Sequence, residues 1–134
     1  MTTQAWLEKF LANHHGIAGT AHRRTADDDL ELIASVNIPP PVQELVRRVP
    51  RGKGMAGLAL ERGEPVSTCN IQTDATGQVR PGARMVGAQA GVALPVRGVD
   101  GQVRAVVGIA YKEERTLKES ELHALEADAG GLPS

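Results

Sequence analysis

The stretch AQAGVALPVRGVDGQVRAVVGIAY, residues 88–111, decides the fold. Two apolar runs rich in Val and Ala, 88–96 and 102–111, flank RGVDG, whose Asp100-Gly101 pair is a strong signal for a tight β-hairpin turn. In the second run Val103, Ala105, Val107, Ile109 and Tyr111 line one face by the period-two alternation of a strand. Val106, Gly108 and Ala110 on the other face are apolar too, which predicts a central strand covered on both sides.

Upstream, residues 72–87 (QTDATGQVRPGARMVG) show little periodicity and predict a long loop, a length that loops reach mainly for functional reasons. Before it come a short strand over 65–71 and a helix over 54–62 that Gly63 closes. Pro39-Pro40-Pro41 stops a preceding sheet and opens another helix, with Val42, Leu45, Val46 and Val49 as its apolar stripe and Pro50 as its end. Residues 16–24 and 29–38 predict a hairpin around the acidic turn TADDD. In its second strand Leu30, Leu32, Ala34 and Val36 point one way and Glu31, Ile33, Ser35 and Asn37 the other. Trp6, Leu7, Phe10 and Leu11 place a helix over 3–13. A last helix over 118–129 carries Leu122, Leu125 and Ala129. Thr116 and Glu119 have capping-box spacing, while Leu117 and Leu122 have hydrophobic-staple spacing. Antiparallel strands with segregated helices predict one α+β domain over 1–134, with its core at about 17–129 and a sheet of five to six strands.

The balance of residues narrows the function classes. A net charge of −1 makes no electrostatic case for nucleic acid or an anionic membrane. No apolar run reaches the roughly 18 residues of a membrane span, and MTTQAWLEKF lacks the pattern of a secretory signal. Cys69, the single cysteine, has no partner for an internal disulfide, which fits a cytoplasmic protein. With one Trp, one Tyr and one Phe, the core must be built from small aliphatic side chains.

In its order and punctuation the chain resembles the GAF family. The likeness is carried by Gly52-Lys53-Gly54-Met55-Ala56-Gly57, Gly63-Glu64-Pro65-Val66, Ala93-Leu94-Pro95-Val96, the Asp100-Gly101 turn, Val107-Gly108-Ile109-Ala110 and the closing helix from Leu117 to Leu125. It covers about residues 17–129. Where family members often carry an Asp after the strand that follows "Gepv", this chain has Asn70, with Asp74 further on. The resemblance implies a pocket between the sheet and the helices and long loop on one side. Its walls would come from residues 54–60, Cys69, 72–87 and 88–94.

Candidate ligand-binding residues are therefore Gly54, Met55, Leu58, Cys69, Arg80, Arg84, Gln89 and Val92. The run Arg51-Gly52-Lys53-Gly54 could offer amide N–H groups to an anion, or simply form a tight turn. Arg80 and Arg84 lie on the long loop, with Arg97 and Arg104 on the hairpin after it; one or both loop arginines could clamp an anion, or the group could simply form a solvated basic surface. Gln89 is either a buried hydrogen-bonding handle or solvent-facing. Cys69 reads as a buried thiol, and Asn70 in place of the His that follows the cysteine of bilin-binding members argues against chromophore attachment. His14 and His15 point about 100° apart on a helix and make no metal face. His22 and His123 stand alone and carry no signal, and Asp27-Asp28-Asp29 reads as a solvated turn.

The expectation is a non-catalytic sensory module. It would bind a small molecule, an anion among the candidates, without a cofactor or metal. It would act on a signalling partner in trans or through a homodimer, with Trp6 and Phe10 as the contact if they form an exposed stripe. The alternatives are a collapsed, purely protein-binding domain and an enzyme of the free methionine-R-sulfoxide reductase kind. The reductases depend on several cysteines, against one here.

Overall fold

The computed structural model describes residues 1–68 and 89–133. In chain order the elements are α1 (Thr3–Asn13), β1 (Ala18–Arg24), β2 (Leu30–Val36), α2 (Pro40–Val46), β3 (Arg48–Val49), α3 (Gly54–Arg62), β4 (Val66–Thr68), β5 (Ala90–Arg97), β6 (Val103–Tyr111) and α4 (Glu119–Ala129). The six strands form one antiparallel sheet in the order β3-β2-β1-β6-β5-β4, with the 88–111 hairpin supplying two of its inner strands. Gly101 makes the predicted turn at φ 80°, and Asp100 Oδ1 accepts the Gln102 N–H at 3.0 Å.

Helices cover both faces. On one side α1 and α4 bring Leu7, Phe10, Leu11, Leu125 and Ala129 onto Val92, Leu94, Val96, Val107 and Ile109. On the other, α2 and α3 bring Val46, Met55, Ala59 and Leu60 onto Leu30, Val49, Val66, Ala93 and Val106. The two sheet faces differ in side-chain size. Val92, Leu94, Val96, Val107 and Ile109 of β5 and β6 face α1 and α4, whereas Ala93, Gly108 and Ala110 alternate with them toward α2 and α3.

Two irregularities break the simple alternation read from sequence. Ala21 pairs with Ala34 but His22 pairs with Leu32, so Ile33 is an extra residue in β2. That bulge turns Leu30 toward α3 and Ala34 toward α1, where an unbroken period of two would place them on one face. Val96 pairs with Ala105 but Arg97 with Val103, so Arg104 is the extra residue and Val103 joins the α3 side.

Other boundaries shift for local reasons. Val49 is not the end of a helical stripe: α2 stops at Val46, and Val49 pairs with Leu30 as a strand. The Pro50 ring disfavours helical geometry at Val49, which suits that residue to the strand. Of the expected stripe Val42 is buried, whereas Leu45 is 51% exposed. The N-cap of α4 is Lys118, so Thr116 caps nothing. Leu117 and Leu122, at the staple positions, both pack on the core, and Glu121 accepts the Lys118 N–H at 3.2 Å. Phe10 is 4% exposed and stacks on Trp6 with ring centroids 5.1 Å apart, so the two do not form an exposed stripe.

Candidate functional site

The short side chains on the α2–α3 face leave space. A cavity of about 160 Å³ lies between Thr20, His22, Ala93, Gly108 and Ala110 of the sheet and Val42, Val46, Met55 and Ala56 of the helices. Ile38 and Lys53 complete the rim. Glycine at 108 keeps the floor low: a Cβ there would come within 2.7 Å of the Thr20 hydroxyl oxygen. Thr20, His22 and Lys53 bring the only polar side chains among the described lining residues.

His22 is the most unusual of them. Its ring is 2% exposed, and Nε2 lies 2.8 Å from the carbonyl oxygen of Val46, the last residue of α2. That carbonyl belongs to a helix end, where no intrahelical donor reaches it, so His22 pins the terminus of α2 to β1. Nδ1 is buried with no hydrogen-bond partner among the described residues. Burial pushes the imidazole pKa below its ordinary value, against a smaller opposing effect of the bond to Val46.

This has a consequence for stability against pH. Above about 6.5, the ordinary histidine value, His22 is neutral in both folded and unfolded chains. Below it the unfolded chain takes up a proton that the folded protein refuses, so stability falls until His22 itself is protonated. Urea unfolding at pH 7, 6 and 5 should show wild type losing more stability over this range than His22→Gln. Parallel losses would rule out a depressed pKa.

The cavity gathers some of the expected residues and not others. Gly54, Met55 and Val92 line it. Leu58 packs instead into the adjacent apolar cluster around Leu60 and Val66, and Gln89 precedes β5, its N–H donating to Tyr111 O at 2.9 Å. Cys69, Arg80 and Arg84, with the 72–87 loop and the end of the expected 65–71 strand, lie outside the described residues. In the 51–54 run the Gly52 and Lys53 amides already donate to Gly57 O and Pro50 O, a tight turn.

Charged groups read as solvated are engaged elsewhere. Arg97 donates to Gly63 O at 2.6 Å and Gly101 O at 2.7 Å, and Arg104 to Leu132 O at 2.6 Å. Asp28 pairs with Arg24 and Arg51, and Asp29 with Arg48. The hydroxyl of Thr25 and the guanidinium of Arg48 hold the Asp29 carboxyl below its ordinary pKa. His14 sits 2.6 Å from Asp128 and joins the end of α1 to α4. His22 was invisible in the sequence because it has no partner at a telling spacing; the signal available was its place two residues after Thr20 on one strand face.

A family model described as "GAF domain" matches residues 5–132. The chain belongs to the GAF family. No curated protein matches it in sequence. Among solved structures this GAF domain is similar to a GAF domain region from Geobacter sulfurreducens PCA, with a TM-score of 0.78, 12% identity, and coverage of 96% of this chain and 86% of that one. It is similar to the GAF domain of an Acinetobacter phosphoenolpyruvate-protein phosphotransferase, with a TM-score of 0.71 and 18% identity over 98% of this chain and 82% of that one. It is also similar to the type II free methionine-R-sulfoxide reductase from Thermoplasma acidophilum, with a TM-score of 0.73 and 16% identity over 94% and 83%. The shared fold thus occurs both in a GAF domain of a phosphotransferase and in a reductase. No described helix is long and apolar enough to cross a membrane.

Proposed function

We propose that this GAF domain is a ligand-sensing regulatory module without catalytic activity of its own. A small molecule enters the cavity between the sheet and α2–α3, and a partner protein or a second copy reads the resulting change in those helices. The observation that carries this reading is the cavity itself, an apolar space bounded on one side by two short helices. Pockets of this kind, mostly apolar with a few placed polar groups, are the default binding sites of small molecules. Helix α2 is seven residues long and buries Val42 alone, so its position is open to bias by whatever fills the space beneath it.

Catalysis by analogy with the Thermoplasma reductase has less support. Forming and resolving a disulfide within the chain takes two thiols, and these 134 residues contain Cys69 alone.

The test is a cavity-filling substitution. Ala110→Leu projects a larger side chain from β6 into the space while leaving the sheet register alone. Wild type should retain a small-molecule mass in native mass spectrometry or show a thermal shift with members of a small-molecule panel. Ala110→Leu should fold and lose both responses. A response that survives in the variant would place the ligand elsewhere.

A further inference from the structure

The class of molecule that suits the cavity follows from one atom. We propose that the ligand is a small, largely apolar molecule, about the size of a single six-membered ring, whose one N–H or O–H group is accepted by His22 Nδ1. The proposal rests on the cavity being the ligand site.

The tautomer is fixed by the neighbour. The Val46 carbonyl can only accept, so the Nε2 that lies 2.8 Å from it carries the hydrogen and donates. In a neutral imidazole the other nitrogen then presents a lone pair and no hydrogen. Burial keeps the ring neutral. Among the described residues Nδ1 is therefore an acceptor without a donor, in a ring that forms part of the cavity wall. Buried polar atoms are nearly always paired, and an unpaired one costs free energy that a ligand donor would recover.

Size and polarity set the rest. A cavity of about 150 Å³ with apolar walls takes up benzene, and this one has about 160 Å³. Apart from Thr20, His22 and Lys53 its described walls are aliphatic, glycine or methionine. An anion would have to leave water for such walls with Lys53 as its one positive partner among the described residues. A ring with a single donor loses little on entry.

Phenol and toluene separate the hydrogen bond from the space, because they are close in shape and only phenol has a donor. Toluene leaves water more readily, so a cavity without an acceptor prefers it. Calorimetric titration of the unaltered protein should give phenol at least about tenfold tighter than toluene, the equivalent of one buried hydrogen bond. Anisole, which keeps the ring and oxygen but has no donor, should bind no better than toluene. In protein labelled with 15N-histidine the His22 Nδ1 resonance should move upfield with phenol and stay in place with toluene. His22→Leu should reverse the preference, and His22→Gln, whose side-chain oxygen can accept, should restore part of it. The comparison on unaltered protein decides the matter even if His22→Leu fails to fold. Toluene binding as tightly as phenol would overturn the role of Nδ1 and leave the cavity as a binding site. Binding of neither would overturn the cavity reading and this proposal with it.

Discussion

Alanine at position 57 should destabilise the protein by about 3 kcal/mol, although alanine is the better helix former by roughly 1 kcal/mol. Gly57 lies inside α3, where the helix passes against the turn that precedes it. A Cβ at this position would stand 2.4 Å from the Pro50 carbonyl oxygen and 3.2 Å from the Gly52 nitrogen. Both are backbone atoms, so no rotamer change relieves the clash. The turn is also tied to the helix by the Gly52 N–H donating to Gly57 O at 2.9 Å, and separation would cost that bond as well. Thermal unfolding of Gly57→Ala should show a midpoint lowered by about 10 °C for a domain of this size. The walls at Gly54 and Met55 would move, so ligand binding should weaken together with stability. A variant as stable as the parent would mean that the 50–52 turn yields freely and that helix and turn are not rigidly packed.

Truncating Leu94 should be at least as damaging, at about 3 to 4 kcal/mol. Leu94 is fully buried on β5 beneath α1 and α4, in a core with a single Phe where Leu7 of α1 is enclosed as completely. Its neighbours there are Val92, Val96, Ala105 and Val107, branched or short side chains on paired strands that cannot swing into the space left behind. Domains typically have about 5–15 kcal/mol in total, so Leu94→Ala should lower the denaturant midpoint severely without changing the m-value. A loss below about 1 kcal/mol would show that the α1–α4 side of the sheet collapses easily and is not the main core.

The contrast between these two positions explains what could be read in the sequence. The 88–111 hairpin was plain because Asp100-Gly101 sits between two alternating apolar runs, and both signals are local. Gly54, Met55 and Val92 could be placed near a cavity because the family resemblance implies a pocket with walls at 54–60 and 88–94. The bulges at Ile33 and Arg104 could not be seen: an inserted residue leaves composition and periodicity nearly intact while reversing the faces of Leu30 and Val103. The two-residue strand at Arg48 and Val49 is set by pairing with Leu30, a partner distant in sequence. His22 escaped notice for a related reason. Its meaning depends on the end of α2, 24 residues away, and on Ala93, Gly108 and Ala110 being stacked across neighbouring strands. Leu58 and Gln89 are not among the described lining residues, because nearness in sequence to cavity residues does not fix which way an element turns.

Everything functional here depends on a real space above the small residues of β5 and β6. Methyl-resolved 13C NMR with dissolved xenon probes it directly, since xenon enters apolar cavities without needing any particular chemistry. The methyl signals of Val42, Val46, Met55, Ala93 and Ala110 should shift with saturable dependence on xenon pressure, while those of Leu7 and Leu125 across the sheet stay put. No saturable shift at the first group would mean that α2 and α3 close onto the sheet in solution and that this face holds no ligand.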